Sequence, residues 1–299
     1  MLEKKMNNFD QLDRRVASAF YGRFPTLQPA QKAAIAPILA GQNVVLSSGT
    51  GSGKTEAVMT PLISRYWHLT AENDSLTLLY IAPTKALVND LEKRLYLPLY
   101  NIGLRVGVRH GDRDDLTSAL HPHVLITTPE SLEVLIFRKD ANLKTVRAVV
   151  IDEVHLLYNT QRGFQLSILL KRFKQNLGRA LQWAALSATI GRLSDVRDFL
   201  FGDSEDAVFL QHPSHRSIDA QVRHVTSESE FSNLIRILTE GHPIKLLIFA
   251  NSRRECERLA GMLRREDRLR HPRVEVPGAP HQPGGDRGIT SPCAEQRRQ

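Results

Sequence analysis

The residues best placed to do chemistry are Ser48-Gly49-Thr50-Gly51-Ser52-Gly53-Lys54-Thr55 and, further along the chain, Asp152-Glu153. Glycines at alternate positions let the backbone turn tightly enough for consecutive N–H groups to face one centre. A helix starting there adds its positive N-terminal end, which makes an anion site. Lys54 can then reach the β- and γ-phosphates of a nucleotide, and the Thr55 hydroxyl can sit on Mg²⁺. The strict phosphate-loop pattern has Gly at the first position, where this chain has Ser48; a small residue still fits there. A flexible glycine turn is the competing reading. The flanks argue against it: Asn43 to Ser47 reads as a buried strand and Glu56 to Met59 continues in good helix formers. Asp152 and Glu153 follow the apolar run Ala148 to Ile151 and so emerge at a sheet edge. One carboxylate there can hold Mg²⁺ opposite Thr55, directly or through water, and its neighbour can polarise an attacking water. Two adjacent acids alone would read as solvated surface. Behind a buried strand and downstream of a phosphate loop, metal and base is the better reading.

Elements must exist to position these groups, and apolar runs alternate with helical segments along the chain. Expected strands are Leu76 to Ile81, Leu104 to Val108, His123 to Thr127, Val146 to Ile151 and Leu181 to Leu186. Each is followed by a polar cluster: Pro83-Thr84-Lys85, Arg109-His110-Gly111-Asp112, Thr128-Pro129, Asp152-Glu153-Val154-His155 and Ser187-Ala188-Thr189. Strands alternating with helices predict a parallel α/β sheet covered on both faces, with ligands at the carboxyl ends of the strands. Upstream, residues 7 to 24 carry Phe9, Leu12, Val16, Ala19 and Phe20 at helical spacing, and a second helix is expected over Ala30 to Ala40. Gln31 lies just before the phosphate loop, and a glutamine amide can pair with N6 and N7 of adenine. Phe20 or Phe24 could stack on the base; both could equally be core. Lys171-Arg172-Phe173-Lys174 reads as a solvated helix face.

Length and composition bound the rest. A chain of 299 residues with 41% hydrophobic and 24% charged residues is ordinary for one large or two modest globular domains. No apolar run approaches the roughly 20 residues of a membrane span, and the N-terminus has no signal-peptide core. The only cysteines, Cys256 and Cys293, make neither a disulfide framework nor a zinc site. The cytoplasm is the expected location. A net charge of +8 suits a polyanionic partner, though a generally basic surface would give the same count.

Taken in order, the motifs resemble those of superfamily 2 DEAD/DEAH-box helicases, most closely the large helicase-related group. The set is Gln31, Ser48 to Thr55, Pro83 to Leu87, Thr127 to Leu132, Asp152-Glu153-Val154-His155, Ser187-Ala188-Thr189, and Leu247 to Arg253, which is similar to the first motif of a second RecA-like domain. Thr160 to Leu166 also resembles the large helicase-related pattern. The resemblance implies a RecA-like fold, with ATP and Mg²⁺ as cofactors. Gln31 would read adenine; Ser48, Gly49, Thr50, Gly51, Ser52, Gly53, Lys54 and Thr55 would bind nucleotide; Thr55 and Asp152 would hold the metal. Glu153 would be the base, and His155 with Ser187, Ala188 and Thr189 would couple hydrolysis to domain movement. Pro83, Thr84, Lys85, Gly111, Thr128, Pro129, Asn251, Ser252 and Arg253 would lie along a nucleic-acid strand, DNA favoured over RNA, touching backbone rather than bases. Arg109 and His110 are candidates for the same contact.

Beyond the first domain, the expectation is a linker at residues 212–217, a strand over Ile218 to Val225, a helix over Phe231 to Leu238, a buried strand over Ile244 to Ala250 and a helix over Glu255 to Leu263. These would begin a second RecA-like domain over 218–270. From His271 the chain turns Pro- and Gly-rich without apolar periodicity, a disordered composition. No match appears to later helicase motifs, including an arginine over the γ-phosphate. A truncated helicase with impaired turnover is therefore expected, possible help coming from a protein partner that supplies a domain. The alternative is a non-catalytic, nucleotide-dependent nucleic-acid-binding module.

Overall fold

The computed structural model describes residues 8–49, 51–73, 75–117, 121–188, 192–202, 205–212, 222–239, 246 and 248–270. The chain divides into two compact units, Met1–Ser217 and Ile218–Gln299.

In the first unit the elements run α1 (Arg14–Tyr21), α2 (Pro29–Leu39), β1 (Asn43–Ser48), α3 (Lys54–Asn73), β2 (Leu78–Ile81), α4 (Lys85–Asn101), β3 (Val106–His110), β4 (Arg113–Asp114), β5 (Val124–Thr127), α5 (Pro129–Phe137), β6 (Ala148–Ile151), α6 (Gln161–Leu177), β7 (Gln182–Ser187), α7 (Leu193–Leu200) and β8 (Ala207–His212). The strands form one sheet in the order β4-β3-β5-β2-β6-β7-β1-β8. Every pairing is parallel except β3 with the two-residue β4. Strands β2, β5, β6 and β7 are buried at every residue, as a sheet covered on both faces requires. Alternation along each strand divides the core in two. Val44, Leu46, Leu78, Tyr80, Ala148 and Val150 face the layer holding α1 to α4. Val45, Leu79, Ile81, Val149 and Ile151 face the layer with α5 to α7.

The strand order positions the chemistry. Strand β7 lies between β6 and β1, with Ile151 opposite Ala185 and Ser47 opposite Ser187. The ends of β6, β7 and β1 therefore bring Asp152, Ser187 and the glycine loop to one sector of the carboxyl edge. The ends of β3, β5 and β2 bring Gly111, Thr128 and Thr84 to the adjoining sector.

Several expectations are corrected. The lead-in helix is broken: a 3-10 turn covers Asn8–Gln11, and Asp13 caps α1 by accepting from the Arg15 N–H. Strand β3 starts at Val106 rather than Leu104, whose N–H bonds to Leu99 O at 2.9 Å to close the preceding helix. Phe20 is core at 4% exposure, so only Phe24, exposed at 56%, is free to meet a base. In the basic run, Phe173 is core and Lys174 pairs with Glu205. Strand β8 was not expected; it lines β1 as a half-exposed sheet edge and includes His212.

In the second unit, α8 (Glu228–Thr239) and α9 (Arg253–Arg270) are present. Ser252 caps α9, its Oγ accepting from the Glu255 N–H at 3.2 Å. The strand expected over Ile218 to Val225 is irregular at residues 222–225, the remainder lying outside the described residues. The strand expected over Ile244 to Ala250 is irregular where described, with Phe249 87% exposed. A buried strand needs a ladder partner, and none is present among the described residues of this unit. The Pro- and Gly-rich stretch from His271 lies outside the described residues.

Gly163 shows how tightly the layer under the site is packed. A Cβ there would lie 2.0 Å from the Leu157 carbonyl oxygen, just past the Asp152–His155 segment. Alanine ordinarily favours a helix over glycine by about 1 kcal/mol. Here Gly163→Ala should instead destabilise by about 1–3 kcal/mol, because backbone must move. A lowered urea midpoint checks this; a raised one contradicts it.

Candidate active site

The loop after β1 adopts the conformation its glycines permit. Gly51 and Gly53 have φ of 75° and 71°, in the left-handed region that L side chains avoid. The Ser52 hydroxyl donates to Gly49 O at 2.7 Å and closes the turn. Lys54 is buried, and its Nζ donates to Ser48 O at 2.8 Å and Gly49 O at 3.3 Å. Those carbonyls hold the ammonium over the loop, where phosphate oxygens would be stronger acceptors. Thr50 lies outside the described residues. Gln31 comes close to the loop: a Cβ on Gly53 would sit 2.4 Å from Gln31 Nε2. Its Oε1 accepts from the Gln28 N–H at 2.9 Å, so a capping arrangement at the start of α2 fixes the amide.

The carboxylates stand across one intervening strand, β7. Asp152 is 6% exposed; Oδ1 accepts from the Glu153 N–H and Oδ2 from the Tyr80 hydroxyl, each at 2.8 Å. Burial pushes its pKa up, the Glu153 charge adding, while the Tyr80 hydrogen bond and the Lys54 charge oppose. Glu153 itself sits at φ 44°, a strained conformation for a non-glycine residue, directly before the 3-10 turn Val154–Leu156. Its Oε2 is buried without a hydrogen-bond partner, although His155 Nδ1 lies 3.3 Å away. The same His155 nitrogen is 3.3 Å from Ser187 Oγ, so the ends of β6 and β7 touch through side chains. Ala188 follows half-buried, and Thr189 lies outside the described residues.

Among the described residues no group of three or more His, Cys, Asp and Glu could hold a metal. Mg²⁺ is usually held by one or two carboxylates together with phosphates. The buried Asp152 carboxylate, the buried Thr55 hydroxyl and the Lys54 ammonium fit a nucleotide–Mg²⁺ complex in donor type.

In the adjoining sector, two helix N-termini follow β2 and β5, with Thr84 exposed and Thr128 buried at 5% exposure. Thr84 caps α4 and Thr128 caps α5, each hydroxyl accepting from the backbone three residues on, with Pro129 at the first turn. Capped N-termini present free N–H groups to an anion. Lys85 Nζ pairs with Asp112 at 2.6 Å, both exposed, and lies against Gly111, where a Cβ would come within 3.3 Å. Arg162 joins the sector internally, donating to Pro83 O at 2.8 Å and to Glu130 at 2.7 Å. Arg109 is bound to Asp114, and His110 is buried with Nε2 3.1 Å from Asn89 Oδ1. Neither is presented for contact, which corrects the expectation for that pair. Asn251, Ser252 and Arg253 belong to the second unit, exposed at the start of α9. Tyr80 and Arg162 are the polar residues whose roles were missed. Tyr80 was hidden in an apolar strand; Arg162 stood inside the flagged segment Thr160 to Leu166.

The DEAD/DEAH box helicase family model matches residues 28–198, more than half of the chain. The chain belongs to the DEAD/DEAH box helicases. The ATP-dependent helicase Lhr-Core of Methanocaldococcus jannaschii is 33% identical over 289 residues, covering 86% of this chain and 34% of the relative. Lhr-Core of Saccharolobus solfataricus is 35% identical over 84% of this chain and 32% of its own length. Among solved structures, Mycobacterium smegmatis helicase Lhr bound to ssDNA and AMP-PNP aligns with a TM-score of 0.77 at 31% identity, over 88% of this chain and 37% of that one. The DEAD-box helicase Mss116 bound to ssRNA and UDP-BeF, at 21% identity and a TM-score of 0.61, shares the RecA-like fold. The chain thus spans about a third of the length of the curated relatives it matches. No helix among its described residues is long and apolar enough to cross a membrane.

The loop geometry of this chain makes Gly53→Ala a sensitive probe. An alanine must hold a left-handed φ, about 1–2 kcal/mol, and displace the Gln31 amide. A fluorescent ATP analogue should bind roughly tenfold more weakly or worse, measured by anisotropy. Unchanged affinity contradicts the reading of this loop as the phosphate cradle.

Proposed function

We propose that the chain is the nucleotide-hydrolysing part of a helicase that couples ATP–Mg²⁺ turnover to movement along a single strand and parting of a duplex. The observation carrying this reading is the pair of carboxylates. Asp152 is buried and held by two donors, while Glu153 next to it has a buried oxygen with no hydrogen-bond partner. An anchored carboxylate suits a metal-bound water; an unsatisfied one suits an attacking water whose proton it takes. Lys54 would neutralise the phosphates and Thr55 would share the metal. Gln31 would select adenine from its place on the loop. His155 and Ser187, in contact across β6 and β7, are positioned to pass a change at Glu153 toward the residues after β7. The strand would lie over Thr84, Lys85, Gly111, Thr128 and Pro129, held by helix N-termini and Lys85 through its backbone. Single-stranded DNA is the favoured strand, on the likeness to a relative whose structure holds ssDNA.

In related phosphate-loop enzymes an arginine over the γ-phosphate contributes about 10³–10⁵ in rate. Within the described phosphate site the nearby Arg94 is engaged with Glu56 at 3.1 Å. An arginine from a second domain, in cis or from a partner, would raise turnover.

Steady-state ATPase with and without single-stranded DNA tests the proposal. A low rate raised by the strand is expected, and Glu153→Gln should lower it about 10²–10⁴-fold while leaving nucleotide binding intact. Turnover that survives Glu153→Gln refutes the assignment of the base.

A further inference from the structure

Tyr80 is fully buried in the middle of the sheet, where the neighbouring positions on the same face are Leu78, Ile126 and Val150. A phenylalanine would satisfy that packing, so the hydroxyl requires its own explanation. Strands β2 and β6 are in register, with Tyr80 opposite Val150. Alternation then places Asp152, two residues past Val150, on the same face as the Tyr80 ring. The phenol reaches along this face to donate to Asp152 Oδ2 at 2.8 Å, while Oδ1 takes the Glu153 N–H at 2.8 Å. The phenol therefore touches the carboxylate that the proposed metal site assigns to Mg²⁺, from a strand that does not carry it.

Resting on that reading of the site, we propose that Tyr80 is a positioning residue for the metal: its O–H fixes the Asp152 carboxylate so that its remaining lone pairs face the ion beside Thr55. A carboxylate offers about four acceptor sites, so the two bonds seen leave capacity for a metal-bound water. Two donors from different elements also stop rotation about the Cβ–Cγ bond, which one donor would permit. Partners of this kind, one step removed from the ion, typically change metal affinity about 10–100-fold when lost.

Mn²⁺, standing in for Mg²⁺, gives a readout independent of turnover, because its free form has a sharp paramagnetic resonance signal. The 299-residue chain, saturated with a non-hydrolysable ATP analogue, is titrated with Mn²⁺ beside Tyr80→Phe and Asp152→Asn. Tyr80→Phe should bind Mn²⁺ about tenfold more weakly, while its affinity for the analogue in EDTA stays within about twofold of wild type. Tyr80→p-aminophenylalanine, which keeps a donor at the same place, should restore the metal affinity. If Tyr80→Phe is too unstable to titrate, Tyr80→p-chlorophenylalanine, similar in size and without a donor, replaces it in that comparison. Unaltered Mn²⁺ affinity in the donor-less variant, or no rescue, overturns the inference and leaves Tyr80 a core tyrosine. A silent Asp152→Asn overturns the metal-site reading itself, and this inference with it.

Discussion

A carboxylate buried at the end of a parallel strand is the constraint on which the rest of this domain depends. Taking an ionised group out of water is costly unless donors and counter-charges replace the solvent. For Asp152 they come from three directions: the adjacent Glu153 N–H, the Tyr80 phenol on β2 and the Lys54 charge at the start of α3. The last two exist only because of sheet order. β2 pairs directly with β6, and β1 delivers the glycine loop one strand beyond β7. Moving any of these strands by one register would turn the supporting group to the opposite face.

The same edge is used twice. Over β6, β7 and β1 it gathers buried, charged and strained groups suited to chemistry. Over β3, β5 and β2 it carries two capped helix N-termini, that of α4 exposed and that of α5 buried, and an exposed lysine. Arg162 braces the second sector by binding the backbone after β2 and the side chain of Glu130 on α5. Gly163, beside it, lets α6 approach the segment following the carboxylates. The two sectors are thus built on one sheet edge.

Much of this was legible in the sequence. A glycine-rich turn between a β-branched run and a helix has few other uses, and Asp152-Glu153 behind four apolar residues had to emerge at an edge. The parallel sheet followed from the alternation of apolar runs with helices. Other features depended on tertiary packing that local pattern does not encode. Phe20 and Phe24 have the same chemistry, yet one is in the core and the other exposed. Arg109 and His110 follow a strand like the functional clusters do, but partners at Asp114 and Asn89 take them inward. The half-exposed pattern of β8 gives no clean alternation to find. Ile244 to Ala250 reads as a strand because it is apolar, but an apolar run becomes one only where a ladder partner is available. Tyr80 illustrates the reverse error: an apolar strand conceals a single polar atom that touches the site.

The central claim is that Lys54 and the glycine loop form the nucleotide site on which this edge is organised. Isothermal titration of the chain with a non-hydrolysable ATP analogue in Mg²⁺, beside Lys54→Ala, tests it most directly. The account predicts one site per chain, weakened about 10–100-fold in the variant by loss of a charge-assisted contact to phosphate. Binding of equal strength in Lys54→Ala, or no saturable binding in the native chain, would contradict it.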